Sequence, residues 1–392
     1  MTKPMIDLYT DFLLTSTKQT SFTRLSTILD GAISHDKITR ELSSEALNHH
    51  DFWKIIKPTL REIEEDTASI ALDDFLLEKP HSQENSTIGF YYDHKTGKTI
   101  KGTNVVDAAY ITSKARIPLD FEVVLKDMIP SWNFERGDWY REQTKTKHEI
   151  AQEILKRAVK HQVKFRTVLL DTWFSSSETL NIIKHDLHKE FIAALKSNRK
   201  VKLLESKELM EGVKHDKKGF VQIELLALQA GKAYLARVEG IKGDVLLTRQ
   251  VFQNGATMPE GAFYGQEDGS QGVLFLVASE LGLTGEAINA GYHLRWQVEE
   301  ATMPEGAFYG QEQHKSGKQN AMMGKGTASW MFGRLNHIFC AFVALVKLER
   351  LRLKCKLNHF ALKERLYLSA LRASMECLSE LRVSNEFRES PA

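Results

Sequence analysis

What this 392-residue sequence has little of narrows it first. Its three cysteines, Cys340, Cys355 and Cys377, lie far apart with no paired spacing. That excludes a disulfide framework and a cysteine-based zinc site, and leaves free thiols in a reducing compartment as the expectation. Neither sign of charge is much in excess, because 53 Lys and Arg face 51 Asp and Glu for a net charge of +2. A nucleic-acid surface must then come from local clusters rather than from the field of the whole molecule. Long hydrophobic runs are missing too. The longest, Ile338 to Val346, falls far short of the roughly 20 residues a membrane span needs. The first residues carry Asp7 and Asp11 and lack the basic start and apolar stretch of a signal peptide, so a cytoplasmic protein is expected.

What is present looks globular. Hydrophobic residues make up 42% and charged residues 27%, ordinary for a folded chain, and the length asks for two or three domains. Residues 1–65 read as helical. Met5, Leu8 and Phe12, then Leu25, Ile28 and Leu29, recur at helical spacing, and Ser34-His35-Asp36 offers cap residues before Lys37 to Leu42. Short helices with exposed Lys and Arg suit either a helix-turn-helix DNA reader or a plain helical packing domain.

At Ser69 the texture changes. Ser69-Ile70-Ala71-Leu72 runs into Asp73-Asp74 and then Phe75-Leu76-Leu77, the pattern of a buried strand carrying two carboxylates. Ile88 to Tyr92 and Thr99 to Val106 follow as a hairpin around Asp93 to Lys98, and Pro118 to Leu125 is extended again. Glu149 to Val163 reads as a helix with Ile150, Ile154, Leu155 and Ala158 inward and Lys156, Arg157 and Lys160 outward. It leads into a second buried strand, Thr167 to Leu170, which ends on Asp171. This is an α/β layer with acids at strand ends, where open sheets place their sites. Leu180 to Leu195 reads as helix. Strands are then expected at Phe220 to Leu228, Ala233 to Val238, Asp244 to Leu247 and Gly272 to Val277.

Thr284 caps a helix expected to include Ile288, Tyr292, Arg295 and Glu299, and the tail from Leu335 to Leu381 is helical, apolar on one side and strongly basic. The resulting division is 1–65 helical, 66–196 α/β, 197–283 β-rich, 284–334 around the Glu299 helix, and 335–392 helical. One feature stands apart. Residues 256–267 read ATMPEGAFYGQE, and residues 301–312 repeat them without a change. Two isolated identical copies do not make a solenoid. A recent duplication, engineering or artificial generation accounts for them, with each copy an inserted loop.

Tyr292, Arg295 and Glu299, at i, i+3 and i+7, would share one face of a helix. With its flanks, Tyr292-His293-Leu294-Arg295-Trp296-Gln297-Val298-Glu299 resembles the Tyr-Arg-Glu-Lys signature of bacterial insertion-sequence DDE transposases. Leu72-Asp73-Asp74 is similar to that family's first catalytic strand, and Leu169-Leu170-Asp171-Thr172-Trp173 to its second. The β-rich stretch between Asp171 and Glu299 is similar to its inserted subdomain. The resemblance implies an RNase H-like catalytic domain interrupted by a β-rich insertion, with helical N- and C-terminal regions. It implies metal-dependent cleavage and strand transfer of insertion-sequence DNA ends by an endonuclease that uses two Mg²⁺ ions, with Mn²⁺ able to substitute. The catalytic, metal-holding acids it implies are Asp74, with Asp73 as the alternative, Asp171 and Glu299. DNA contacts fall to Tyr292, Arg295 and Lys318, and to Arg352, Lys354 and Lys356 of the basic tail. The partners implied are double-stranded DNA at element ends and target DNA, held by a homodimer.

The chemistry agrees. Two divalent ions roughly 4 Å apart activate a water or 3′-hydroxyl and stabilise the leaving oxygen of a phosphodiester, and Mg²⁺ takes hard oxygen ligands from a few carboxylates. The sequence also departs from the pattern. Seven residues beyond Glu299 the signature asks for Lys, and the chain has Gly306; matching context resumes only at His314 to Lys318. Pro304 costs a helix about 3 kcal/mol and a glycine up to about 1 kcal/mol, so the helix is expected to end near Glu300. Phe75 replaces the small hydroxyl residue usual after the first acid. A catalytically inactive DNA-binding derivative, or an engineered or generated variant, is the alternative.

Overall fold

The computed structural model describes residues 1–16, 19–93, 97–127, 131–133, 137–140, 142–253, 263–264, 271–295, 321–326, 330–355 and 362. Its centre is five strands: β1 (Ser69–Glu78), β3 (Lys98–Ile111), β4 (Arg116–Val123), β7 (Thr167–Leu170) and β8 (Glu190–Leu195). They lie side by side as β4-β3-β1-β7-β8. The first three pair antiparallel, and β1, β7 and β8 run parallel. This is the RNase H-like arrangement. The hairpin strand β2 (Gly89–Asp93) adds to the outer part of β3, and a separate two-stranded ribbon joins β5 (Ser131–Asn133) to β6 (Asp138–Tyr140). Beyond β8 the insertion continues the sheet through β9 (Lys200–Leu203), β10 (Val221–Gln222), β11 (Ala233–Val238), β12 (Val245–Gln253) and β14 (Gln271–Ala278). Phe263–Tyr264 of the first repeat copy forms a short strand, β13, on β14.

Strand alternation separates the two faces. Ile70 and Leu72 point into the larger core with α5 (Lys147–Lys160), whose Ile150, Ile154 and Leu155 are buried there. Ala71 and Leu169 point the other way, into a smaller cluster with Ile288 and Tyr292 of α7 (Gly285–His293). Further along β1 on that second face, Phe75 meets Phe342 of the long helix Met331–Cys355. By length and composition this helix could cross a membrane, but 78% of its most apolar window is buried inside the protein. It packs against β4 and against α1 (Lys3–Thr15), α3 (His35–Ser43) and α4 (His49–Ile63). α2 (Phe22–Ile28) packs on α3, so the N-terminal helices dock on the long helix through α1, α3 and α4. Ser34 caps α3 as expected, its hydroxyl accepting from the Lys37 N–H at 3.3 Å.

Four expectations are corrected. The segment Leu180 to Leu195 is not one helix: α6 (Ser177–Asn181) and a π-turn over Ile182–Asp186 lead into β8. A parallel strand covered on both faces, here Phe191 to Leu195, is apolar without alternation and looks like buried helix in sequence. Phe220 to Leu228 gives only the two residues of β10 before a 3₁₀ turn. Arg157 is not turned to solvent; it pairs with the buried Asp120 at 2.6 Å and so ties α5 to β4. Burial pushes the Asp120 carboxyl up to about 6 despite that pairing. Finally, α7 ends at His293, with Arg295 in the turn that follows. The tail helix is described to Cys355; its expected continuation to Leu381 lies outside the described residues apart from Leu362.

A buried histidine fastens the terminal helices together. His337 accepts from the Tyr9 hydroxyl through Nδ1 at 3.0 Å, and its Nε2 donates to the carbonyls of Met322 and Met323, each at 3.1 Å. Burial, with Lys79 nearby, pushes its pKa down from 6.5 to about 4. The unfolded chain then takes up a proton that the folded chain refuses, so stability is complete above pH 6.5 and drains away as pH falls towards 4. The loss should reach about 3 kcal/mol. Urea unfolding at a series of pH values should show this slope in the native chain, and His337→Asn, though weaker at neutral pH, should flatten it.

Candidate active site

The parallel register decides which acids meet. Ala71 lies opposite Leu169, so two residues further along both strands Asp73 comes beside Asp171. Both then share the face that carries Ala71, Leu169 and α7. Asp74 projects from the opposite face. There it accepts from Asn104 at 3.0 Å and from Lys147 at the start of α5 at 2.6 Å. The structure therefore does not bring Asp74 to Asp171; it brings Asp73. The reason is the two-residue period of a strand, which sends adjacent side chains to opposite sides.

Asp171 is buried and shapes the turn that follows it. One carboxylate oxygen accepts from the backbone N–H groups of Trp173, at 3.0 Å, and Phe174, at 2.9 Å. Local hydrogen bonding of this kind ends β7. On the other side of the chain, α5 begins with a capping box in which Thr146 and Glu149 exchange hydrogen bonds, fixing Lys147 and His148 at the same edge.

Tyr292 of α7 and Arg295 of the turn that follows it close the site. Tyr292 is fully buried, and Arg295 lies over its ring at 5.5 Å while pairing with Asp73 at 3.7 Å. Burial pushes the Tyr292 hydroxyl up to about 12; Arg295 opposes this, and the carboxylates of Asp171 and Asp73 add to it. The charges that Tyr292 feels are thus the two acids of its own face. The Tyr292 ring is packed in the interior in this structure. The end of α7 is held in turn by Arg116, which donates from its guanidinium to the Leu294 carbonyl at 3.2 Å. The Arg116 backbone N–H donates to buried Glu349 of the long helix at 2.9 Å. The site lies where these two helices approach one face of the sheet.

Glu299, Lys318 and Lys356 lie outside the described residues. Arg352 donates to both oxygens of Glu349, at 2.7 and 2.6 Å, and to the Lys114 carbonyl, so it braces the fold. Lys354 is exposed. Elsewhere on the basic stripe, Lys347 pairs with Asp7 and Asp11 of α1 and Arg350 with Glu62. One acid escaped the sequence reading. Asp107 of β3 is directly opposite Asp73 and buried at 2% exposure. Its signal was a lone carboxylate inside the apolar run Val105 to Ala109.

Among the described residues no group of three or more His, Cys, Asp or Glu side chains is placed to hold a metal ion. Asp73 and Asp171 still fit a hard divalent cation: they are oxygen donors on neighbouring strands, with Arg295 already serving one of them as counter-charge. The Asp171 turn also dictates how that residue must be tested. Asp171→Ala leaves two backbone N–H groups without their acceptor and should cost about 2–4 kcal/mol in urea unfolding. Asp171→Asn keeps an acceptor oxygen and should stay within about 1 kcal/mol of the native chain.

Comparison with known families reaches the same part of the molecule. The family model described as DDE superfamily endonuclease matches residues 2–218. The match takes in the helical N-terminal region, the five-stranded centre with both strand acids, and the start of the insertion; it stops short of Tyr292, Arg295 and Glu299. No curated protein matches the chain. With more than half of its length under the family model, and with strand acids side by side on an RNase H-like sheet, this chain belongs to the DDE superfamily endonucleases.

Proposed function

We propose that this endonuclease is an insertion-sequence transposase that cuts and rejoins DNA at the ends of its element, using Mg²⁺ held by Asp73, Asp171 and Glu299. The observation that carries the reading is the parallel register of β1 with β7, which puts Asp73 and Asp171 on the face that also bears Tyr292 and Arg295. Bound there, divalent ions would activate the attacking oxygen and stabilise the leaving one. The chain's own part is to hold the carboxylates rigidly. Asp171 is fixed by its turn, and Asp73 by two neighbouring strands and Arg295. Arg295 suits a phosphate with its planar fork once a cation neutralises Asp73. Lys318, Lys354 and Lys356 are proposed phosphate contacts, double-stranded end and target DNA the substrates, a homodimer the working form, and the cytoplasm its place.

Nicking of supercoiled plasmid in Mg²⁺ or Mn²⁺ tests this. Asp73→Asn and Asp171→Asn should each lose at least about 100-fold, since even residues that only support metal ligands are worth 10–100-fold. Asp74→Asn should lose less than about tenfold. Equal losses at Asp73 and Asp74, or none at Asp171, would overturn the assignment.

A second reading, a DNA-binding derivative with weak or no catalysis, is favoured by one observation: α7 stops at His293, before the chain reaches Glu299. A displacement of about 1 Å can cost on the order of 100-fold in rate. Deleting Ala301 to Gln313 and inserting one Tyr restores the signature spacing from Glu299 to Lys318. The repaired chain should nick DNA faster than the native one, and Glu299→Gln should remove the gain. Equal rates would show that the repeat does no harm.

A further inference from the structure

A small cavity of about 10 Å³ lies where the end of β1 meets the start of the long helix Met331–Cys355. Room of that size suits a single-atom ligand or one water and is too small for phosphate or sulfate. The polar lining comes from Lys79, Thr103, Arg334 and His337, and among the described residues that line the cavity none is acidic. Thr103 of β3 is only 1% exposed, and its hydroxyl has no hydrogen-bond partner among the described residues. Lys79 gives two of its three N–H donors to the carbonyls of Gly324, at 2.9 Å, and Gly326, at 3.0 Å, which leaves one. Arg334, on the first turn of the long helix, is buried at 5% exposure. His337 brings no charge, because its ring nitrogens are engaged with Tyr9 and with the carbonyls of Met322 and Met323.

Charges of one sign are thus gathered out of water. Burial pushes the Lys79 ammonium down to about 8, and the positive charges of Arg334 and Lys325 push the same way. Burial alone lowers the Arg334 guanidinium to about 10. A water in the cavity would satisfy Thr103 and leave this repulsion as it is. A monatomic anion accepts from the hydroxyl and the ammonium and offsets both charges, which is what buried cations require. We propose that the cavity binds one halide ion, chloride under ordinary conditions, through the Thr103 hydroxyl and the Lys79 ammonium and beside the charge of Arg334. An ion there ties β1 and β3 to the long helix and to the turn at Met323–Lys325. Its part is structural, and the proposal stands apart from whether the protein cuts DNA.

The test uses the full chain, freed of halide by dialysis into sodium gluconate. Thermal unfolding is then followed at constant ionic strength while gluconate is exchanged for chloride or bromide. A ligand that binds only the folded chain stabilises it by mass action, so the native midpoint should climb with either halide. At a hundred times the dissociation constant the climb should be about 3 °C. Thr103→Val keeps the shape of the side chain and removes its donor, and Lys79→Met removes the charge; each should lose most of the climb. A crystal soaked in bromide should show the anomalous signal of the ion in the cavity, beside Lys79 and Thr103. Should Lys79→Met fail to fold, Thr103→Val and the bromide signal decide. A native midpoint that ignores halide overturns the proposal, even with bromide in the crystal, since that is binding at crystal concentration only. So does an equal climb in the native chain and a folded Thr103→Val, which is a general salt effect. A cavity without bromide signal overturns it as well.

Discussion

The side-by-side pairing of β1 with β7 is the constraint on which the site depends. Two parallel strands buried on both faces leave no room for a shift, because moving one by a single residue would turn Ile70 and Leu72 out of one core and Ala71 out of the other. The apolar first halves of the strands therefore set the register, and the acids that follow take whatever positions it dictates. Packing far larger than the site holds two like charges together, and the repulsion between them is offset by Arg295.

The second level of organisation is the way the chain's two ends lock around that sheet. The long helix Met331–Cys355 carries Phe342 against Phe75 and Phe121, His337 against Tyr9, and Asn336 against the carbonyls of Leu42 and Glu45. Glu349 reaches the backbone of Arg116, whose guanidinium in turn holds the end of α7. Terminal helices, sheet edge and site helix thus form one connected body. Basic residues of the long helix, such as Arg352 and Lys347, are engaged in holding it.

Much of this was legible in the sequence, and the failures have physical causes. Strands at Ser69, Thr167 and Ala233 declared themselves by apolar runs ending at polar turns, and Asp171 stood out as the residue that ends one of them. Phe191 to Leu195 was misread because a strand covered on both faces has no alternation to show. The choice between Asp73 and Asp74 was open because it rests on pairing with residues some hundred positions away. Asp107 was missed for the same reason: only the antiparallel partner strand makes it a neighbour of Asp73. The end of α7 depends on contacts such as Arg116 to Leu294, which no local pattern encodes.

The tandem aspartates have one more consequence. Because Asp73 and Asp74 face opposite ways, β1 carries a carboxylate on each side at the same level. Its chemistry is degenerate towards an indel that moves the strand by one position, whereas its core is not. Between relatives, a column of aligned aspartates at this point cannot by itself identify equivalent atoms. Equivalence has to be traced through the strand's hydrophobic phase, from Ala71 and Leu169 outward, before any acid is transferred from one family member to another.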